Sequence, residues 1–67
     1  MKLHEAIIIV LKDNNRTMTT KEIADELNKL DLYTKKDGSL ITDYQIHGRT
    51  KNYPHLFTRD GIRVDLV

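Results

Sequence analysis

The same helix-start signature occurs twice in this chain, and it predicts where two of its helices begin. Thr19 is followed three residues later by Glu22, and Thr42 is followed three residues later by Gln45. At this spacing each side chain bonds a backbone N–H that the first turn of a helix leaves unpaired, an arrangement called a capping box. Apolar staple pairs bracket both signatures: Met18 with Ile23, and Ile41 with Ile46.

The residues that follow each signature predict how far the helices extend. A single apolar stripe runs through the second helix, which is predicted from about Thr20 to Leu30. The third helix is predicted from about Asp43 to Asn52 or Tyr53, since Pro54 disfavours helical backbone in the residue before it. Apolar residues at helical spacing from Leu3 to Leu11 predict an earlier helix, which Asp13-Asn14-Asn15 is predicted to end.

Two short apolar segments near the end of the chain flank a glycine turn. Residues 56–59 and 62–66 are predicted strands of a hairpin whose two-residue loop is Asp60-Gly61. The predicted buried face of this hairpin consists of three alternating residues, Ile62, Val64 and Leu66. A further two-residue strand is predicted at Leu40-Ile41.

Together these elements predict an α+β fold, a winged helix-turn-helix with three helices and the C-terminal two-stranded hairpin as its wing. The length suffices for one small core, so residues 1–67 are predicted to form a single domain. The chain has no cysteine, and its apolar runs are far shorter than the roughly 20 residues that cross a membrane. We therefore expect an intracellular soluble domain with no membrane contact.

Several functional classes are not favoured by the residues present. The three histidines lack metal-ligand spacing, and no nucleophile stands beside a plausible base. No enzyme activity, cofactor, metal or small-molecule substrate is predicted. The net charge of +1 does not by itself predict a nucleic-acid partner, although a small basic excess falls within residues 41–67.

One face of the third helix carries no aliphatic residue. Its amide, imidazole and basic side chains are the types that hydrogen-bond base edges and phosphates, and a helix fits the major groove. Gly48 lies in the middle of this face, which indicates either close approach of a partner or tight packing under the wing. The predicted DNA-binding residues lie on this face, its flanks and the wing: Tyr44, Gln45, His47, Arg49, Lys51, Asn52, Arg59 and Arg63.

The same features also have structural explanations that involve no DNA. Any solvent-facing helix side is polar, Gln45 already has a capping role, and Tyr44 lying over the wing or the first helix is a second possibility. Arginine is also common on surface strands. Ile8 and Ile9 exceed the stripe that the first helix needs, which indicates either a broadly buried helix or an apolar patch for a protein partner.

Longer motifs extend over nearly the whole chain. They are the helical segments Leu3–Leu11 and Met18–Leu27, the D-L-Y-x-x-x-D-G segment Asp31–Gly38, the Y-Q-I-H-G-R-T-K-N-Y-P-H-L-F segment Tyr44–Phe57, and Asp60-Gly61. In these motifs the chain resembles the HARE-HTH domain family. The run Gln45-Ile46…Arg49…Tyr53-Pro54…Phe57 is the most specific part of the resemblance.

The resemblance implies a winged helix of the kind found in bacterial restriction-type proteins, in the delta subunit of bacterial RNA polymerase and in eukaryotic chromatin proteins. It implies a DNA-binding role in transcription, chromatin or restriction-modification, and a location in the bacterial cytoplasm or at the nucleoid. Some members use the fold for protein contacts, so a polymerase- or nuclease-associated interaction module, docking through Ile8, Ile9 or the wing, is the alternative. About ten residues separate the second and third helices, against three or four in a simple helix-turn-helix, so the ordinary docking pose does not follow.

Overall fold

Three helices and three short strands form the regular structure of the chain in a computed structural model that describes residues 1–67. In chain order the elements are α1 (Leu3–Asn14), β1 (Met18–Thr19), α2 (Thr20–Leu30), α3 (Asp43–Lys51), β2 (Phe57–Asp60) and β3 (Arg63–Leu66). The α+β class and the three helices are therefore confirmed. The bounds of α2 are those predicted, and α1 ends at Asn14, within the predicted Asp13-Asn14-Asn15 stop, whereas α3 ends before Asn52.

Both predicted capping boxes form. The Thr19 backbone N–H donates to Glu22 Oε1 at 2.9 Å, and the Glu22 N–H donates to Thr19 Oγ1 at 3.1 Å. At α3 the Thr42 N–H donates to Gln45 Oε1 at 3.0 Å, and the Gln45 N–H donates to Thr42 Oγ1 at 3.4 Å. The local sequence thus determines where α2 and α3 begin.

The ends of α1 and α2 depend on left-handed residues. Asn15 (φ 51°) and Asp31 (φ 54°) each turn the chain out of its helix. Their backbone N–H groups donate to the carbonyls of Leu11 and Leu27. Asparagine and aspartate tolerate this conformation better than most residues, which explains why these helices end without glycine.

The hairpin belongs to a sheet of three strands. All neighbours are antiparallel in the order β1-β3-β2, with Met18 opposite Val64 and Thr19 opposite Arg63. The first N–H of α2, that of Thr20, donates to the Ile62 carbonyl at 2.9 Å. The prediction of a two-stranded hairpin therefore missed β1, because a strand of two residues has no periodicity that could reveal it.

The hairpin loop lies one residue later than predicted. Asp60 pairs with Arg63, so the loop residues are Gly61 and Ile62. Gly61 has φ +62°, and glycine with positive φ at the first loop position is typical of a type II′ turn. Ile62 consequently lies at the tip and is 64% exposed, so its predicted place in the buried face was wrong, whereas Val64 is fully buried.

The strand predicted at Leu40-Ile41 does not form. Instead, the side-chain amide of Asn28 on α2 pairs with the backbone of Ile41 as a strand would. Its Nδ2 donates to the Ile41 carbonyl at 2.8 Å, and its Oδ1 accepts the Ile41 N–H at 2.9 Å. Ile41 is buried and Leu40 is exposed. One side chain thus holds the residue before the α3 cap against α2.

The core lies where α1 packs against α2, α3 and β3. It contains thirteen buried apolar residues, among them Ile7, Leu27, Ile46 and Val64. Ile8 is half-buried and packs against this core, and Ile9 is also half-buried. The broad burial of α1 is therefore the better explanation of the isoleucine run. None of the three helices combines the length and apolar character that crossing a bilayer requires.

Replacing Asn28 with Ala should destabilise the domain by about 1–3 kcal/mol, because both backbone groups of the part-buried Ile41 would lose their partner. Denaturant unfolding followed by circular dichroism measures the effect. Lys29→Ala changes an exposed neighbour on the same helix and is the matched control. Equal stability of the two variants would contradict the structural role of Asn28.

The Glu22 carboxylate should make stability depend on pH in the acid range. The backbone N–H of Thr19 and then the side chain of Arg16 hold the pKa of Glu22 below its ordinary value. A carboxylate with a lowered folded-state pKa stabilises fully above its unfolded pKa, and the contribution is lost as pH falls through the folded value. Glu22→Gln keeps a cap acceptor without the charge, so we expect wild type to be more stable at neutral pH and the difference to shrink as pH falls through the lowered pKa of Glu22. A difference that is independent of pH would contradict this.

Candidate nucleic-acid interface

The buried side of α3 holds the helix firmly in the domain. Ile46 and Thr50 are fully buried. The Thr50 hydroxyl donates to the Ile46 carbonyl at 2.9 Å, so the one polar group on this side has a partner. Beyond the helix, the Tyr53 ring stacks on His4 of α1 with 4.2 Å between ring centroids. Both ends of α3 are thus fixed, which leaves its outer face as a rigid surface.

The outer face of α3 is exposed, and the domain engages only one of its side chains, that of His47. Tyr44 is 83% exposed, so it lies over neither the hairpin nor α1. His47, Gly48 and Lys51 are also exposed. A Cβ added to Gly48 would meet nothing within 4 Å, which excludes tight packing as the reason for this glycine. Because glycine inside a helix costs about 1 kcal/mol relative to alanine, Gly48 has a cost without an internal benefit.

Arg59 points from the hairpin toward α3. It lies on the core side of β2, opposite Val64, and its Nη2 is 2.6 Å from His47 Nδ1 and 3.1 Å from His47 Nε2. Because a guanidinium only donates, this contact needs a ring nitrogen of His47 that carries no proton. Two predicted site residues are therefore brought together. The buried Nε of Arg59 has no partner.

Arg63 is placed differently. It lies opposite Asp60 and on the other face of β3 from the buried Val64. The shallow groove on this face has a lining that includes the carboxylates of Asp60 and Asp65, and the Thr17 hydroxyl donates to Asp65 Oδ2 at 3.0 Å. The structure therefore places Arg63 among acidic side chains and does not bring it to α3.

A second groove runs along the other flank of α3. Its walls are this flank, with one basic and two amide side chains, and the segment that joins α2 to α3, with two lysines. The lining residues are Leu3, Tyr33, Lys35, Lys36, Ile41, Gln45, Gly48, Arg49 and Asn52. Three predicted site residues, Gln45, Arg49 and Asn52, are brought together here. Lys35 and Lys36 were not predicted, although two adjacent lysines in the long α2–α3 segment were a signal available in the sequence.

The cations of this region have no acidic partners. The chain forms two ion pairs, Arg16–Glu22 at 3.4 Å and Lys21–Asp25 at 3.7 Å, and both involve α2. All basic residues after α2 lack an ion pair: Lys35, Lys36, Arg49, Lys51, Arg59 and Arg63. No group of three histidine, aspartate or glutamate side chains could hold a metal ion. The arrangement is suited to binding an anionic partner by hydrogen bonds and charge.

Replacing Gly48 with Ala should raise the free energy of unfolding by up to about 1 kcal/mol, because the helix gains propensity and the methyl group meets nothing. Gly61→Ala is the matched control. Its positive φ is unfavourable for any side chain, so that variant should lose roughly 1 kcal/mol. Thermal or denaturant unfolding measures both. A destabilised Gly48→Ala variant would indicate a packing role after all.

No protein-family model, curated protein or solved structure matches this chain. Its function therefore has to be inferred from its own residues.

Proposed function

We propose that this chain is a non-catalytic winged helix-turn-helix domain of the HARE-HTH type that binds double-stranded DNA. The carrying observation is the outer face of α3, which is polar and exposed, engages the rest of the domain only through His47, and has cations without ion pairs on either side. In this proposal α3 enters the major groove with His47, Arg49, Lys51 and Asn52 toward the DNA. The hairpin serves as the wing, and the context is transcription, chromatin or restriction-modification.

The side chains of this face match what a duplex offers. Asparagine pairs with adenine edges, while arginine and lysine pair with guanine or phosphate. With a net charge of +1 and few cations in the interface, we expect weak binding that decreases steeply as salt rises. Arg59 adds a positive charge to this interface from the side of the hairpin that faces α3, where its guanidinium contacts His47.

A titration of the isotope-labelled domain with a short duplex, at low and at physiological salt, tests the proposal. Backbone amide shifts should cluster at 44–51 and 60–63 and should shrink as salt rises. Absence of shifts at low salt, from a sample with a folded spectrum, would overturn duplex binding.

A protein-interaction module is the second candidate, and two exposed apolar side chains favour it. Ile8 and Ile9 are half-buried, so α1 offers little apolar area. Tyr44 at 83% exposure and Ile62 at 64% are the accessible large apolar groups on α3 and the hairpin tip. If the duplex titration fails, these two residues are where a protein partner should be sought.

Single charge removals should weaken duplex binding without regard to sequence. Lys51→Ala and Arg59→Ala each remove one phosphate contact, so the slope of log K against log salt should decrease by about 1 for each variant. Fluorescence anisotropy with two unrelated duplexes measures this, and Lys29→Ala on α2 is the control. If neither variant changes affinity, this docking pose is wrong.

A further inference from the structure

We propose that the groove between α3 and the α2–α3 segment holds the sugar-phosphate backbone of one DNA strand, with Lys35, Lys36 and Arg49 as its phosphate ligands. This inference rests on the proposed function and adds which side of α3 carries the backbone. The observation behind it is that these three cations line one groove that contains no carboxylate.

The groove wall opposite α3 is an ordered turn. The Gly38 N–H donates to the Lys35 carbonyl at 2.9 Å, and Asp37 Oδ1 accepts the Ser39 N–H at 3.0 Å and its hydroxyl at 2.7 Å. Those bonds hold the pKa of Asp37 below its ordinary value. At the far end, the Asn28 amide fixes Ile41 against α2. The two lysines thus belong to a segment that contains a hydrogen-bonded turn and is held to α2 at its α3 end.

The α3 side of the groove also carries hydrogen-bond donors. At about 100° per residue, Gln45, Arg49 and Asn52 fall on the same flank of the helix, next to Gly48. Lys35 and Arg49 are half-buried, so their stems lose less freedom when their charged ends bind. Most protein–DNA hydrogen bonds go to phosphate and sugar oxygens, and such donors can supply them.

The hairpin side of α3 is less favourable for a phosphate than this groove. Arg59 is already engaged by His47, and Arg63 shares its face of the sheet with Asp60 and Asp65. A phosphate that approached there would have to displace the histidine contact or lie near carboxylates. The groove on the α2–α3 side requires neither, so it is the more favourable site for the backbone.

Gly48 fits the same placement. It lines the groove, and nothing in the domain occupies the space where its side chain would be. A bare helix backbone at that point allows a strand to approach more closely than any other residue would. The strand proposed here supplies the external reason that the domain itself does not provide for this glycine.

The deciding experiment compares two double variants of the full chain. Lys35→Ala with Lys36→Ala removes the groove lysines, whereas Lys12→Ala with Lys29→Ala removes the same charge from exposed positions on α1 and α2. Anisotropy with a short duplex over a range of salt should show roughly tenfold weaker binding and a salt slope lower by about 2 for the groove variant only. Equal affinity of the two variants would overturn the groove site.

Gly48→Ala provides an independent readout because it keeps every charge and is expected to fold at least as well. Its duplex affinity should fall at least fivefold, since the methyl group would stand in the path of the strand. Unchanged affinity would place the strand away from the groove and overturn the inference. If the unaltered chain binds duplex while these variants behave like controls, only the groove assignment fails. If the unaltered chain binds no duplex, the proposed function fails with it.

Discussion

The paired hydrogen bonds between the Asn28 amide and the backbone of Ile41 are the contact on which the arrangement of α3 depends. A long segment between two helices leaves their relative position undetermined unless something fixes its far end. Here one side chain on α2 does so by satisfying both polar groups of Ile41. The next residue, Thr42, begins α3 through its capping box. The cap determines where the helix starts in sequence, and the amide determines where that start lies in space.

The buried side of α3 favours folding, whereas its outer side carries residues that do not. The buried side is well satisfied, since Ile46 is enclosed and the Thr50 hydroxyl is bonded within the helix. The outer side keeps a glycine that lowers helix propensity and a tyrosine that is almost fully exposed. A surface selected for folding alone would favour alanine at position 48 and a polar residue at 44. That contrast is the best reason to place the function of the chain on this face.

The features that could be predicted from sequence are those determined by neighbours along the chain. The capping boxes and the bounds of α2 depend on residues within one helical turn, so their patterns were sufficient. Two of the errors involve pairing between distant segments, namely β1 against β3 and Asn28 in place of a strand at Leu40-Ile41. The one-residue shift of the hairpin loop is a local error, because an Asp-Gly pair does not determine which residue begins the turn. For the candidate site, too, only the features within one helix could be predicted. A helical wheel found the face of α3, but neither the lysines across the groove nor the contact of Arg59 with His47 could be seen from α3 alone.

Net charge was a poor guide because it ignores where charges lie. The ion-paired cations, Arg16 and Lys21, belong to the α2 side, whereas every cation after α2 remains unpaired. A chain with a formal charge of +1 can therefore present a basic groove on one side. Yet a few phosphate contacts give little affinity at physiological salt, since each contributes through counterion release. Under the proposed function, we therefore expect that useful occupancy of DNA needs a second binding unit linked to this one, because linkage raises the effective concentration without adding a contact to either unit.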